Sequence, residues 1–273
     1  MSKYIAGIIG AGNMGGIIAS AVCKKVGREN VIVACSSADN SKLAAEKIGC
    51  GCGTAAEIAE NVRFLFLGIK PQKASEVISE IKNIIAARQN DGLIIVSMLA
   101  GTPISMLCEM CGTDRIIRMM PNTPALVGEG MTQVCCASGI GGDELCEFCE
   151  LISYTGRTDI IPESLIDAAS AVSGCGPAYA YIFIEALADG AVKCGLPRKK
   201  AVEYAAQMLY GAAKTVLETE KHPGELKDAV CSPAGSTIAG VSALENGAFR
   251  ACASNAVVSA FLKTKEMAEK KHG

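Results

Sequence analysis

Two short segments of this chain combine residue types and spacings that chemistry can use. The first, Gly10-Ala-Gly12-Asn13-Met14-Gly15, follows an apolar run and opens a helical pattern. Glycines so spaced turn the chain tightly, let the backbone approach a pyrophosphate and let the helix pack on its strand. The helix N-terminus then offers free N–H groups to phosphate, so the turn suits a dinucleotide. The second segment, Cys231-Ser232-Pro233-Ala234-Gly235-Ser236-Thr237, joins two helical stretches. The N–H groups of Ser236 and Thr237, in the first turn of the following helix, suit a carboxylate. Ser-Pro and Gly-Ser-Thr read equally well as a plain loop and helix cap.

Fourteen cysteines and two histidines are the other reactive groups. Cys108 with Cys111, and Cys146 with Cys149, have the spacing of metal-ligand pairs. Both pairs lie in helical patterns rather than in turns that wrap an ion. Cys135-Cys136 lies in a strand-like stretch. The cysteines therefore read as small buried apolar residues, and no metal is expected. His222 precedes Pro223 in an inter-helix turn, where exposure or capping suits it better than catalysis; His272 is one residue from the C-terminus. Ketone reductases commonly use a His or Lys to protonate the developing alkoxide. The lack of a suitable His favours an imine, which can arrive already protonated.

The elements that must position these segments fall into two halves. Up to residue 162, β-rich runs over 4–9, 31–35, 64–68, 93–97, 115–119 and 133–137 alternate with helical patterns over 14–25, 41–48, 55–61, 72–87, 104–110 and 143–154. Several of the strands are uninterrupted apolar runs, as in sheets covered on both faces. The fold class is α/β: a Rossmann-type doubly wound sheet over 1–162, then an all-α domain over 163–273. That second half reads as helices over 164–172, 177–194, 198–219, 224–230, 236–246 and 249–270. Its many Ala and Gly residues let helices approach closely, which suits packing against a second chain.

The second strand decides between the two nicotinamide dinucleotides. An acid at its end would bond a ribose 2′-hydroxyl and repel a 2′-phosphate. Here Ser36-Ser37 follows, with Asp39 a little further on and no Arg in the loop. Hydroxyls favour NADPH over NADH, although Ser36 could equally cap a helix. Charge is balanced, with 14 basic and 16 acidic residues up to 162 and 12 of each beyond. Neither nucleic acid nor an anionic membrane surface is an expected partner. The apolar stretch 5–22 is long enough to pass for a membrane span. Gly10, Gly12, Asn13, Gly15 and Gly16 interrupt it, and a soluble cytoplasmic protein is the better reading.

At these residues the chain resembles pyrroline-5-carboxylate reductases. The segment Leu226 to Thr237 is similar to that family's signature. It is joined by Gly10 to Gly15, Ile69-Lys70-Pro71-Gln72, Met120-Pro-Asn-Thr-Pro-Ala125, Ser173-Gly-Cys-Gly-Pro-Ala-Tyr179 and Glu245-Asn-Gly-Ala-Phe-Arg250. The resemblance implies reduction of the small molecule 1-pyrroline-5-carboxylate to L-proline, the last step of proline biosynthesis. It further implies an intertwined homodimer through the C-terminal helices, in some members a larger ring such as a decamer, with the substrate where that dimer meets the cofactor. By position, Thr237 would be the catalytic hydroxyl beside the ring nitrogen. The N–H groups of Ser236 and Thr237 would hold the carboxylate, Ser232 and Gly235 would also bind the substrate, and Glu163 would lie near it. Gly10, Gly12, Asn13, Met14, Gly15, Ser36, Ser37, Lys70, Pro71 and Ala100 would line the cofactor. Ala234 departs from the family's more usual Gly, Ala55 stands where many NADPH-using members carry an Asn near the adenosine end, and Ala229 where some members have an Asn near the substrate.

Two rivals share parts of this pattern. A β-hydroxyacid dehydrogenase would need a catalytic Lys on the first helix of its second domain. The helical stretch from Ala178 contains no Lys before Lys193. A non-catalytic NADP-sensing protein would have no need for the intact segment Gly235-Ser-Thr237.

Overall fold

The computed structural model of the chain describes residues 2–88 and 90–269; His272 lies outside them. In chain order the first elements are β1 (Tyr4–Ile9), α1 (Asn13–Val26), β2 (Val31–Ala34), α2 (Ala38–Ile48), β3 (Gly51–Cys52), α3 (Ala55–Asn61), β4 (Val62–Leu67) and α4 (Ala74–Ala87). Next come β5 (Ile94–Ser97), α5 (Ile104–Cys111), β6 (Ile116–Met120), β7 (Gly130–Cys136), α6 (Gly142–Leu151) and β8 (Gly156–Ile160). The chain ends in α7 (Glu163–Ser173), α8 (Gly176–Lys193), α9 (Arg198–Thr219), α10 (Pro223–Ala229), α11 (Ser236–Asn246) and α12 (Phe249–Glu269).

The strands form one sheet in the order β3-β2-β1-β4-β5-β6-β7-β8. Strand β1 pairs in parallel with both β2 and β4, so the winding reverses there. The crevice beyond the carboxyl ends at such a reversal is where open α/β sheets take ligands. Alternate residues feed two cores, one on each face. Phe64 and Phe66 pack with Phe148 and Val22, whereas Leu65 and Leu67 pack with Ile78 and Ile81. The apolar stretch 5–22 is thus divided between a strand, a turn and a helix.

The sheet departs from the sequence pattern in two respects. Strand β7 runs antiparallel to β6, because residues 121–129 are too few for the crossover a parallel neighbour requires. Strands β3 and β8 form the two edges and carry no apolar run. The first is only two residues long, and the second exposes Arg157, Asp159 and Ile160.

The chain forms two compact units, one of residues 1–174 with 260–273 and the other Cys175–Ser259. Helix α7 belongs to the first, although its pattern groups it with the helices beyond residue 162. Its Glu163 and Asp167, one turn apart, accept hydrogen bonds at 2.9 and 3.2 Å from Arg118, which is buried on β6. Residues 163–193 are together apolar and long enough to cross a membrane, with a turn at 174–175 between α7 and α8. In the second unit, α8 packs along α9, and the Tyr179 hydroxyl donates to the Ala256 carbonyl at 3.3 Å.

Candidate active site

The glycine turn is built as the spacing demands. Gly10 has φ +95°, closed to most side chains, and a Cβ there would meet the Gly68 backbone at 2.7 Å. Its N–H donates to the Ala34 carbonyl at 2.7 Å, tying the turn to the end of β2. A Cβ on Gly15 would collide with the Gly10 carbonyl oxygen, so α1 packs on the turn only through glycine. A Cβ on Gly12 would meet nothing within 4 Å and would project into open space. Gly12 is also the N-cap of α1, and neither a side-chain cap nor an acidic residue covers that helix end.

Beside the turn lies a cleft of roughly 820 Å³ whose walls include Gly10, Gly12, Ser36, Asn40, Lys70 and Lys73. Gly10, Gly12, Ser36 and Lys70 were expected there. Asn13 and Met14 open α1, and Pro71 opens the 3₁₀ turn Pro71–Lys73 behind Lys70. Ser37 is occupied otherwise, since its hydroxyl accepts the Asn40 N–H at 3.2 Å and caps α2. Ala100 lies in the turn after β5, where Met98 N–H reaches the Leu67 carbonyl at 3.2 Å. That turn emerges at the carboxyl end of β5, next to β4. A dinucleotide fits these groups: an uncapped helix N-terminus, a glycine cradle, two lysines, and no carboxylate directly at the end of β2. Asn40 and Lys73 were not expected. Lys73 has a legible cue, since it closes the short turn that Pro71 opens and stands at the N-cap of the helix that follows.

The second candidate segment lies in unit Cys175–Ser259. Ser232 to Gly235 form a tight turn, with Gly235 N–H donating to the Ser232 carbonyl at 3.1 Å. A Cβ on Gly235 would collide with the Ser232 hydroxyl, so any larger residue there would have to turn that side chain aside. Helix α11 begins at Ser236 with Gly235 as N-cap, and neither a side-chain cap nor a first-turn acid covers its N–H groups. Ser236 and Thr237 are exposed at that end. Next to them Ala234 has φ +56°, a left-handed conformation that Ala adopts at a cost of about 1 kcal/mol relative to Gly. Ala234→Gly is expected to stabilise the protein by about that amount. Chemical denaturation measures it, and an unchanged midpoint would deny the strain.

Glu163 is anchored within the sheet unit. One carboxylate oxygen accepts from both Arg118, at 2.9 Å, and the first N–H of α5 at Ile104, at 2.7 Å. Asn122, from the segment Met120 to Ala125, bridges the Ser173 carbonyl at 2.9 Å and the Met131 N–H at 3.0 Å. His222 caps α10, accepting the Gly224 N–H at 3.1 Å. Among the described residues no cluster of three or more His, Cys, Asp or Glu side chains could hold a metal ion.

The thiols divide by burial. Burial pushes both Cys111 and Cys135 up to about 12, with Cys108 adding to the first and Glu163 to the second. Only about one part in ten thousand of such a thiol is thiolate at pH 8. Iodoacetamide at pH 8 should therefore modify exposed Cys52 and Cys146 and spare Cys111 and Cys135, as peptide mass mapping reads. Early labelling of Cys111 would contradict this packing.

Comparison with known proteins agrees with the geometry. Residues 5–101 match the family model for NADP oxidoreductase, coenzyme F420-dependent. Residues 163–267 match the model for pyrroline-5-carboxylate reductase dimerisation. The chain is 40% identical over 277 residues to pyrroline-5-carboxylate reductase of Escherichia coli (strain K12), covering 99% of this chain and 98% of that one. It is 38% identical to the Arabidopsis thaliana enzyme of the same name, covering 98% and 96%. The crystal structure of Plasmodium falciparum pyrroline carboxylate reductase with NADP bound superposes with a TM-score of 0.86 at 30% identity, covering 98% of this chain and 99% of that one. The chain belongs to the pyrroline-5-carboxylate reductase family of NAD(P)H-dependent oxidoreductases.

Proposed function

We propose that the chain reduces 1-pyrroline-5-carboxylate to L-proline, the closing step of proline biosynthesis, and uses NADPH in preference to NADH. The observation that carries the substrate reading is the bare N-terminus of α11, with Ser236 and Thr237 in its first turn. On this reading the two backbone N–H groups bind the substrate carboxylate, and the Ser232–Gly235 turn shapes their approach. The Thr237 hydroxyl donates to the ring nitrogen. A donor there stabilises the lone pair that grows on nitrogen as the C=N bond is reduced. Glu163 flanks the substrate. When bound, the nicotinamide supplies the hydride. Gly10, Gly12, Gly15 and the first turn at Asn13 and Met14 take the pyrophosphate with Lys70 beside them, Ser36 reaches the ribose, and Pro71 and Ala100 line the cofactor further along. Catalysis is then mainly positioning.

The cofactor is assigned to 1–162, and substrate and subunit contacts to 163–273. A cytoplasmic homodimer through the C-terminal helices, with a decamer as the larger ring, completes the proposal; neither nucleic acid nor membrane is a partner. Support for the dimer comes from the helical unit itself. Among its described residues the buried apolar side chains are Ala188, Ala201 and Ala205, while Tyr181, Ile182, Tyr204 and Leu217 are 53–67% exposed. Helices this long with so small a core need a second chain to cover them.

The reaction is tested by following NADPH and NADH oxidation on adding 1-pyrroline-5-carboxylate, with 2-oxo acids and six-membered cyclic imines as controls. Oxidation dependent on the five-membered imine, with the higher kcat/KM for NADPH, is expected. Oxidation by an oxo acid alone would contradict the substrate, and equal or better kcat/KM for NADH would contradict the preference.

A further inference from the structure

The loop after β2 lacks the positive charge that a cofactor 2′-phosphate needs. Cys35 stands at the strand end, Ser36 offers one hydroxyl, and Ser37 is committed to capping α2. Another part of the cleft's lining supplies what is missing. Lys73, Glu76, Val77 and Glu80 all line it from α4 and its N-cap, at the i, i+3, i+4 and i+7 spacing of one helical face. They share the cleft with Asn40 and Ala44 of α2. Ala44 and Val77 give apolar walls suited to a flat base, leaving Lys73 as the cation of this part of the cleft. Lys70, the other lysine in its walls, follows Ile69, whose side chain lies 2.8 Å from where a Cβ on Gly10 would be. Lys70 therefore belongs with the pyrophosphate turn, one 3₁₀ turn before Lys73.

We propose that Lys73 receives the 2′-phosphate of NADP and that Glu76 sets how strongly it does so. The Lys73 ammonium lies 2.7 Å from a Glu76 carboxylate oxygen, and both side chains are more than half exposed. A dianionic phosphate competes with Glu76 for the same ammonium, and Glu80 on the same face also opposes it. The net attraction is therefore modest and tunable. This rests on the dinucleotide reading of the cleft, and it explains how a loop without Arg can favour NADP.

The test is calorimetric titration of the cofactor-free protein with 2′,5′-ADP and with 5′-ADP, which differ in the 2′-phosphate. The wild type should bind 2′,5′-ADP more tightly. Lys73→Met should weaken 2′,5′-ADP about tenfold, the effect of one partly screened charge-assisted bond, and change 5′-ADP less than twofold. Glu76→Gln should tighten 2′,5′-ADP about threefold and leave 5′-ADP unchanged. Equal weakening of both nucleotides by Lys73→Met, or no weakening of either, would overturn the assignment while keeping the cleft as a nucleotide site. Binding of neither nucleotide by the folded wild type would overturn the dinucleotide reading and the proposal with it.

Discussion

Arg118→Met is expected to destabilise the protein by about 3–5 kcal/mol, the cost of leaving carboxylates without the partner of a buried pair. The Arg118 side chain is 4% exposed, and the carboxylates it serves, Glu163 and Asp167, are 34% and 15% exposed. Solvent therefore screens this cluster much less than a surface pair. Lys265 also reaches Asp167, at 3.3 Å, but Glu163 would keep only the Ile104 N–H. The loss should detach the start of α7 from β6 and lower Tm by roughly 10 °C. Arg118→Lys keeps the charge without the two-pronged geometry and should fall between the two. Denaturant titration of the three proteins is the measurement. A Met variant as stable as wild type would show that the cluster contributes nothing to the fold.

The second large effect lies in the chemistry. Thr237→Ala should lower kcat/KM for the cyclic imine by about 1–3 kcal/mol, roughly five- to 150-fold, through loss of one hydrogen bond to a charged or charging atom. Thr237→Ser keeps the hydroxyl and should recover most of that loss. Thr237 is exposed in the first turn of α11, so the Ala variant should fold normally, as circular dichroism can check. Unchanged kinetics would remove Thr237 from the role. A loss that Ser fails to restore would point to the methyl group instead.

Parts of the structure differ in how openly the sequence displays them. The glycine turn was legible because every glycine in it answers a local need: a positive φ at Gly10, open space at Gly12, contact with a carbonyl at Gly15. The central strands were legible because burial on both faces leaves continuous apolar runs, as in Phe64-Leu-Phe-Leu67. Strands β3 and β8 were not, because an edge strand needs no such run. The antiparallel step at β7 depends on connection length, to which alternation of strands and helices is blind. Arg118 was overlooked although the cue was present. One arginine inside Ile116-Ile-Arg-Met-Met120 must find carboxylates if the strand is buried, and Glu163 and Asp167 stand four residues apart on one helix face. The backbone at Ala234 was hidden for a different reason, since only the folded turn shows that a residue written as Ala adopts a glycine's conformation.

Hydride delivery to the carbon of a cyclic imine bearing a carboxylate is the chemistry on which the assigned roles depend. It is tested most directly by supplying 1-pyrroline-5-carboxylate with NADPH deuterated at the transferring position of nicotinamide C4 and examining the product by mass spectrometry and NMR. L-proline carrying one deuterium at C5, the former imine carbon, is expected. Proline without deuterium, or NADPH oxidised without proline formed, would contradict it.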